Sequence, residues 1–248
     1  MTLLMILLAT LVSGVLSVLL TASLALTWLL RFADRMVAYA AGVLLTLAFT
    51  ELLPEAVEMG LEPHLTGQWL LAGVIVFFLL EKAALWRHAH GHEGHLHRPQ
   101  VSMIVLGDGL HNFVDGVLIA AAFLVDPALG WTTAIAVLAH ELPQEIGDFM
   151  VLLNAGVSKA RALALNALSG GAMVLGGVAG YYALAGAQSA VPYVLVMAAA
   201  SFLYIAVADL IPELHRHRGF RDAASQLALI GLGVASMHLA GSFFHHAH

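Results

Sequence analysis

The side chains of this chain that could do chemistry are concentrated in two stretches. In LHNFVDGVLIAAAF, residues 110–123, His111 and Asp115 lie four apart, Asn112 follows His111, and Asp108 precedes it by one turn. In HELPQEIGDFMVLL, residues 140–153, His140 and Gln144 repeat that spacing, with Asp148 one turn beyond. Glu141 and Glu145 form a further pair, rotated by about 100° around the same helix. Residues three or four apart share a helix face. Two such helices side by side would gather imidazole nitrogen and carboxylate oxygen in one cavity. That donor set suits a borderline divalent cation such as zinc. A single His–Asp pair reads equally well as a polar contact between helices, whereas two helices that both carry the pattern favour a bound cation.

Both stretches run directly into apolar sequence, so the elements that position them are read as membrane spans. Of the 248 residues, 60% are hydrophobic and 10% are charged, against about 25% charged in a soluble domain. Apolar runs of about 20 residues, the length that crosses a bilayer as a helix, are read at 4–30, 36–56, 67–86, 101–124, 130–153, 161–184, 191–212 and 223–244. The first lacks a basic leader and is too long for the core of a signal peptide, so it is expected to be retained. The expected fold is an all-α integral membrane protein with eight transmembrane helices, residues 1–248 forming one transmembrane domain.

Spans four and five hold Asp108, Asp115, Glu141, Glu145 and Asp148 but no Lys or Arg. A carboxylate at the bilayer centre costs about 2.5–3.5 kcal/mol, so five facing lipid would cost on the order of 15 kcal/mol. These groups are expected to face the bundle interior, water or a cation. Pro143 cannot donate to the Ala139 carbonyl, so span five is expected to kink among them. There is no cysteine, hence no thiolate ligand and no disulfide framework.

Basic residues order the topology. Arg31 and Arg35 separate spans one and two; Lys82, Arg87 and Arg98 separate three and four; Lys159 and Arg161 lie between five and six; Arg216, Arg218 and Arg221 lie between seven and eight. Cytoplasmic loops collect Lys and Arg, which places both termini outside the cytoplasm. The connection between spans two and three carries Glu55, Glu58 and Glu62 instead. FTELLPEAVE near the end of span two and VADLIPELHR near the end of span seven align Glu51, Pro54 and Glu55 with Asp209, Pro212 and Glu213. The two copies run in opposite directions in this topology, the mark of an inverted repeat. No basic face suits nucleic acid at a net charge of −6, and no G-x-x-x-x-G-K-[ST] loop for ATP occurs.

HNFVDG followed by HELPQEIGD resembles the fourth and fifth helices of the ZIP family of metal transporters, particularly its LIV-1-like branch. FLYIAVADLIPE, FFLLEK at the end of span three and the His-rich segment after it extend the resemblance over most of the chain. It implies eight helices in a 3+2+3 arrangement with outward termini. It also implies His111, Asn112 and Asp115 as metal ligands from the fourth helix and His140, Glu141 and Gln144 from the fifth. Asp108, Glu145 and Asp148 are expected in the second shell or pathway. Two positions depart from the pattern. The LIV-1-like motif reads HExPHE, and Gln144 replaces its second His. Met173 stands where some members carry a carboxylate in the sixth helix. One tight ion is therefore expected, held by His111, Asp115, His140 and Gln144 as two nitrogens and two oxygens. Asn112 and Glu141 alone would make a thin second site.

HAHGHEGHLH brings His88, His90, His92, His95 and His97 into a loop expected on the cytoplasmic side at about 87–100. Such a tract is a compositional signal for weak metal binding. His238 is read as a packing residue, and His215 and His217 as part of a solvated basic loop. The expected function is transport of a divalent metal toward the cytoplasm across the cell membrane by alternating access. Zinc is the first expected cargo, with iron, manganese and cadmium as further candidates. The alternatives are a proton-coupled exporter of the opposite direction, a metal sensor on a transporter fold, and an intramembrane zinc peptidase. The peptidase signature H-E-x-x-H lacks its second His in HELPQ, so no enzyme is expected. Expected partners are the metal ion, the lipid bilayer and, as an option, a second copy in a homodimer. Nucleic acid and ATP are not expected.

Overall fold

The computed structural model of the protein describes residues 1–23, 26–89, 98–216 and 219–246. Every regular element among them is helical. In chain order these are α1 (Thr2–Ser23), α2 (Leu26–Thr46), a π-helical stretch Leu47–Leu52, α3 (Leu53–Glu58), α4 (Pro63–Ala89), α5 (Arg98–Val125) and α6 (Pro127–Asn154). They continue with α7 (Lys159–Ala185), a 3₁₀ turn Gln188–Ala190, α8 (Val191–Tyr204), a second π-helical stretch Ile205–Leu210, α9 (Ile211–Leu214) and α10 (Phe220–His246).

Among the described residues, seven helical runs are long and apolar enough to cross a membrane. They lie in α1, α2 through α3, α4, α5, α7, the 3₁₀ turn through α9, and α10. The remaining long helix is α6, with 28 residues; it carries Glu141, Glu145 and Asp148. The first expected span, 4–30, covers α1 and the start of α2, which runs on from Leu26 through Arg31 and Arg35; residues 24 and 25 lie outside the described ones. Charges mark the edge of an apolar slab rather than the end of a hydrogen-bonded helix, and RFADR contains no Gly or Pro to stop one.

Both copies of the repeated sequence adopt the same local structure. The Leu53 N–H bonds the Ala48 carbonyl, and the Ile211 N–H bonds the Ala206 carbonyl, each five residues back. Pro54 and Pro212 follow directly, and Glu51 and Asp209 lie inside the π stretches. A proline removes one backbone bond and crowds the preceding turn. The wider π turn accommodates it, so the helix continues as α3 or α9 instead of ending.

The core is apolar and deep, with Leu44, Leu47, Ile119, Val137, Leu195 and Phe202 all fully buried. Buried hydroxyls on α1 fold back on their own helix. Thr10 Oγ1 donates to the Ile6 carbonyl at 2.8 Å and Thr21 Oγ1 to the Ser17 carbonyl at 2.9 Å. That is the solution open to a hydroxyl where no water is available. Ser13 Oγ instead crosses to the Ala134 carbonyl of α6 at 3.2 Å. Glycines bring backbones together. A Cβ on Gly14 would strike the Gly170 carbonyl of α7, and one on Gly116 of α5 would strike the Met173 carbonyl of α7. Helices α1, α5, α6 and α7 thus pack side by side around the two chemistry-bearing stretches, while Leu71, Leu79 and Leu80 of α4 and Leu227 and Leu239 of α10 are exposed.

Candidate metal site

Helices α5 and α6 form an antiparallel hairpin with only Asp126 between them. Its carboxylate caps α6, accepting from the Ala128 N–H at 2.7 Å and the Leu129 N–H at 3.1 Å. Pro127 occupies the first turn, where a missing N–H costs nothing. This tight reversal sets the two motifs opposite each other.

His111, Asp115, His140 and Glu141 converge, each offering one ligand atom, and the four atoms lie within 4.8 Å of one another. The His140 Nε2 is 3.1 Å from Asp115 Oδ2 and 3.4 Å from His111 Nε2. The His111 Nε2 is 3.6 Å from both Asp115 Oδ2 and Glu141 Oε1, and Glu141 Oε1 is 3.7 Å from His140 Nε2. Zinc bound at about 2.0–2.1 Å sets tetrahedral neighbours about 3.3 Å apart, so these spacings already have the size of a zinc polyhedron. Asp115 and Glu141 are fully buried, while the His111 side chain keeps 22% of its surface exposed.

The hydrogen-bond pattern also calls for a cation. His140 Nδ1 lies 3.1 Å from the Ala136 carbonyl, which can only accept, so Nδ1 carries the hydrogen. In the neutral ring Nε2 then presents its lone pair, the arrangement of a metal-binding histidine. That lone pair faces a carboxylate oxygen and a second imidazole nitrogen. Asp115 Oδ1 and both Glu141 oxygens are buried without a hydrogen-bond partner. Such a concentration of acceptors is costly in an apolar interior and is relieved by a positive ion among them.

The other carboxylates differ. Asp108 Oδ1 accepts from Asn112 Nδ2 at 3.1 Å and from Gln144 Nε2 at 3.2 Å, and Asn112 also donates to the Asp108 carbonyl. Glu145 Oε2 accepts a close hydrogen bond from Asn166 Nδ2 of α7, which also reaches the Glu145 carbonyl at 3.2 Å. Asp148 is partly exposed. Glu141 joins His111, Asp115 and His140 in the cluster, and the Gln144 amide nitrogen donates to Asp108. The longer Glu arm spans the rotation that separates Glu141 from His140. Asn112 Oδ1 remains buried without a partner. Met173 is fully buried, with its carbonyl against Gly116.

A family model described as ZIP zinc transporter matches residues 87–241, more than half of the chain. The chain belongs to the ZIP family. Its curated relatives include the metal cation symporter ZIP14 of Bos taurus, 44% identical over 57% of this chain and 28% of that protein. The zinc transporter foi of Drosophila melanogaster is 42% identical over 53% of this chain and 19% of its own length. The zinc transporter ZIP6 of Pongo abelii is 38% identical over 55% and 18%. The matched segment thus spans less than a third of each relative. With seven apolar helices of membrane-crossing length, this ZIP-family chain is a multi-pass membrane protein.

Two residues beside the ZIP motifs emerge only from the fold. Phe202 of α8 is fully buried and packs its ring on the His140 imidazole, with centroids 5.9 Å apart. An apolar residue in an apolar run gives no signal in sequence. Asn166, 2% exposed, stands in the apolar run ALALNALSGG; a polar amide inside a span was a readable signal. From the cluster toward the α5–α6 turn, Leu118 through Phe123 are all buried. In the other direction Leu106 and Gly107 are exposed, and a Cβ on Gly107 or Gly147 would meet open space. His90, His92, His95 and His97 lie outside the described residues, as do His217 and His248; His88 falls at the end of α4.

Proposed function

We propose that this chain carries a divalent metal, zinc first, across a membrane toward the cytoplasm by alternating access. The observation that carries the reading is the buried cluster of His111, Asp115, His140 and Glu141, with spacings of 3.1–3.7 Å and partnerless carboxylate oxygens. Two nitrogens and two oxygens suit zinc better than a hard ion such as magnesium. Asn112, Gln144 and Asp108 form the adjoining polar step, with Glu145 and Asp148 further along. The ZIP family and the names of the relatives, a metal cation symporter and zinc transporters, support the same reading.

In this proposal α6 is the eighth span, giving a 3+2+3 arrangement in which the two π-helical copies belong to an inverted repeat. The alternation of basic connections supports termini outside the cytoplasm, in the cell membrane. The buried side of the cluster, toward the α5–α6 turn, is then the outer side, and the more open side is cytoplasmic. The histidine segment at 87–100 acts as a weak cytoplasmic metal-binding loop. Transport needs no ATP and no catalysis, and the chain works in lipid alone or as a homodimer. The test is uptake of radioactive zinc by proteoliposomes of known orientation. Accumulation in the cytoplasm-ward direction without nucleotide is expected. Movement only in the opposite direction would make the chain an exporter, and specific binding without flux would make it a sensor.

A further inference from the structure

We infer that Asn166 of α7 is a positioning residue for the metal site: its two hydrogen bonds to Glu145 hold the part of α6 beyond Pro143 in register with α5. The inference rests on reading the His111–Asp115–His140–Glu141 cluster as the cargo site.

Helix α7 contributes no side chain to that cluster, yet it touches both helices that do. Part of its contact with α5 is backbone against backbone. Gly116 directly follows Asp115, and a Cβ there would lie 2.7 Å from the Gly177 nitrogen; one on Gly176 would lie 2.8 Å from the Phe113 carbonyl carbon. Such a contact has no side chain that can adjust, so it fixes the height of His111 and Asp115 relative to α7. The contact with α6 is made by Asn166. Its single Nδ2 donates both to the Glu145 carbonyl and to Glu145 Oε2. A main-chain bond limits sliding of α6, and a side-chain bond to the same residue limits its rotation. Ser169, one turn on, donates to the Asn166 carbonyl at 2.9 Å and packs against Gly109 of α5.

A brace is needed at this point because Pro143 removes the backbone bond that would stiffen α6. His140 and Glu141 lie before that weak point and Glu145 after it. The amide is 2% exposed and its partner fully buried, so water does not replace the bonds when they are lost. Glu145 Oε1 already has no partner; without Asn166 the whole carboxylate would be unsatisfied and free to shift. Five of the six pairs of ligand atoms lie 3.1–3.7 Å apart, the spacing of tetrahedral zinc ligands. A register error of about an ångström opens the polyhedron and favours a larger ion of the same charge.

The experiment measures zinc and cadmium binding by calorimetry on the purified full chain in nanodiscs, with the loop histidines changed to Ser. Asn166→Leu should weaken zinc severalfold, less than the roughly tenfold or greater loss seen when a ligand's own partner is removed, because its partner Glu145 is not a ligand. Cadmium should weaken less, so the zinc-to-cadmium affinity ratio falls. Asn166→Ser, a milder change, should move the ratio the same way if the leucine variant does not fold. Asn166→Asp combined with Glu145→Gln reverses donor and acceptor in the side-chain bond at equal net charge but forfeits the bond to the main-chain carbonyl of residue 145, so it should recover part of the zinc affinity. Folded Asn166→Leu or Asn166→Ser protein with wild-type affinities overturns the inference, as does an equal loss for both ions with no recovery in the double variant. His140→Ala separates this outcome from the reading beneath it. If His140→Ala also binds zinc normally, the cluster is not the site; if it loses zinc while Asn166→Leu keeps it, only the role of Asn166 falls.

Discussion

The carboxylates of α5 and α6 are not equivalent, and their hydrogen bonds separate them. Asp108 and Glu145 are held by amides, although Glu145 Oε1 has no partner, whereas Asp115 Oδ1 and both Glu141 oxygens lack one and no amide holds either group. A group already satisfied gains little from a metal, and an orphaned one gains most. His111→Ala or His140→Ala should therefore abolish nearly all uptake while folded protein stays in the membrane, since each removes a nitrogen ligand. Uptake at the wild-type rate and equal surface amount would sink the assignment. Metal number follows from the same bonds. Gln144 is neutral and engaged with Asp108, so one tightly held ion is expected, any second being weak. Gln144→Glu should raise occupancy of a second position and slow release, because a more negative cavity holds a dication longer. Anomalous scattering from loop-histidine-free protein checks the stoichiometry; two equally strong peaks in the otherwise unaltered protein would show that Gln144 has been misread.

At the scale of elements, α6 has an apolar first half that is mostly buried and a second half interrupted by Pro143 and lined with carboxylates. Pro143→Ala would return a donor to the Ala139 carbonyl and straighten the helix. Uptake is expected to fall several-fold while thermal stability holds or rises, because interior helical proline costs about 3 kcal/mol or more. Loss of folded protein instead would show that the kink is required for packing. The helices and the pairing of the two motifs were legible in sequence because apolar length and four-residue spacing depend only on local order. The helical run through Arg31 and Arg35 was not, since charges mark the edge of an apolar slab rather than the end of a helix. Nor were the π-helical stretches, whose extra residue per turn leaves no periodic trace in a uniformly apolar run. Glu141 was legible as a ligand, but its convergence with His111, Asp115 and His140 was not, because side-chain reach between two helices depends on how they pack. Asn166 was visible as a polar residue in a span, but its partner on another helix was not.

At the scale of the whole molecule, apolar surface on α4 and α10 turned outward and a carboxylate-rich interior make sense only in a bilayer. Charge then decides orientation. The histidine segment lies between α4 and α5, in a connection rich in basic residues and away from the ligand helices' turn. Replacing His88, His90, His92, His95 and His97 with Ser should leave substantial zinc uptake but lower metal binding on the cytoplasmic side. Complete loss of uptake by folded protein would make the loop part of the pathway.

The orientation itself can be tested cleanly because the chain contains no cysteine, so a single introduced thiol is the only one to label. Ser158, exposed at the start of α7, adjoins Lys159 and Arg161; Gln188, exposed between α7 and α8, has no basic neighbour. Lys and Arg are retained on the cytoplasmic side. A membrane-impermeant maleimide applied to intact cells should therefore modify Gln188→Cys and spare Ser158→Cys until the membrane is permeabilised. The converse pattern would invert the topology. The open side of the metal cluster would then face outward, and the direction proposed for transport would have to be reversed with it.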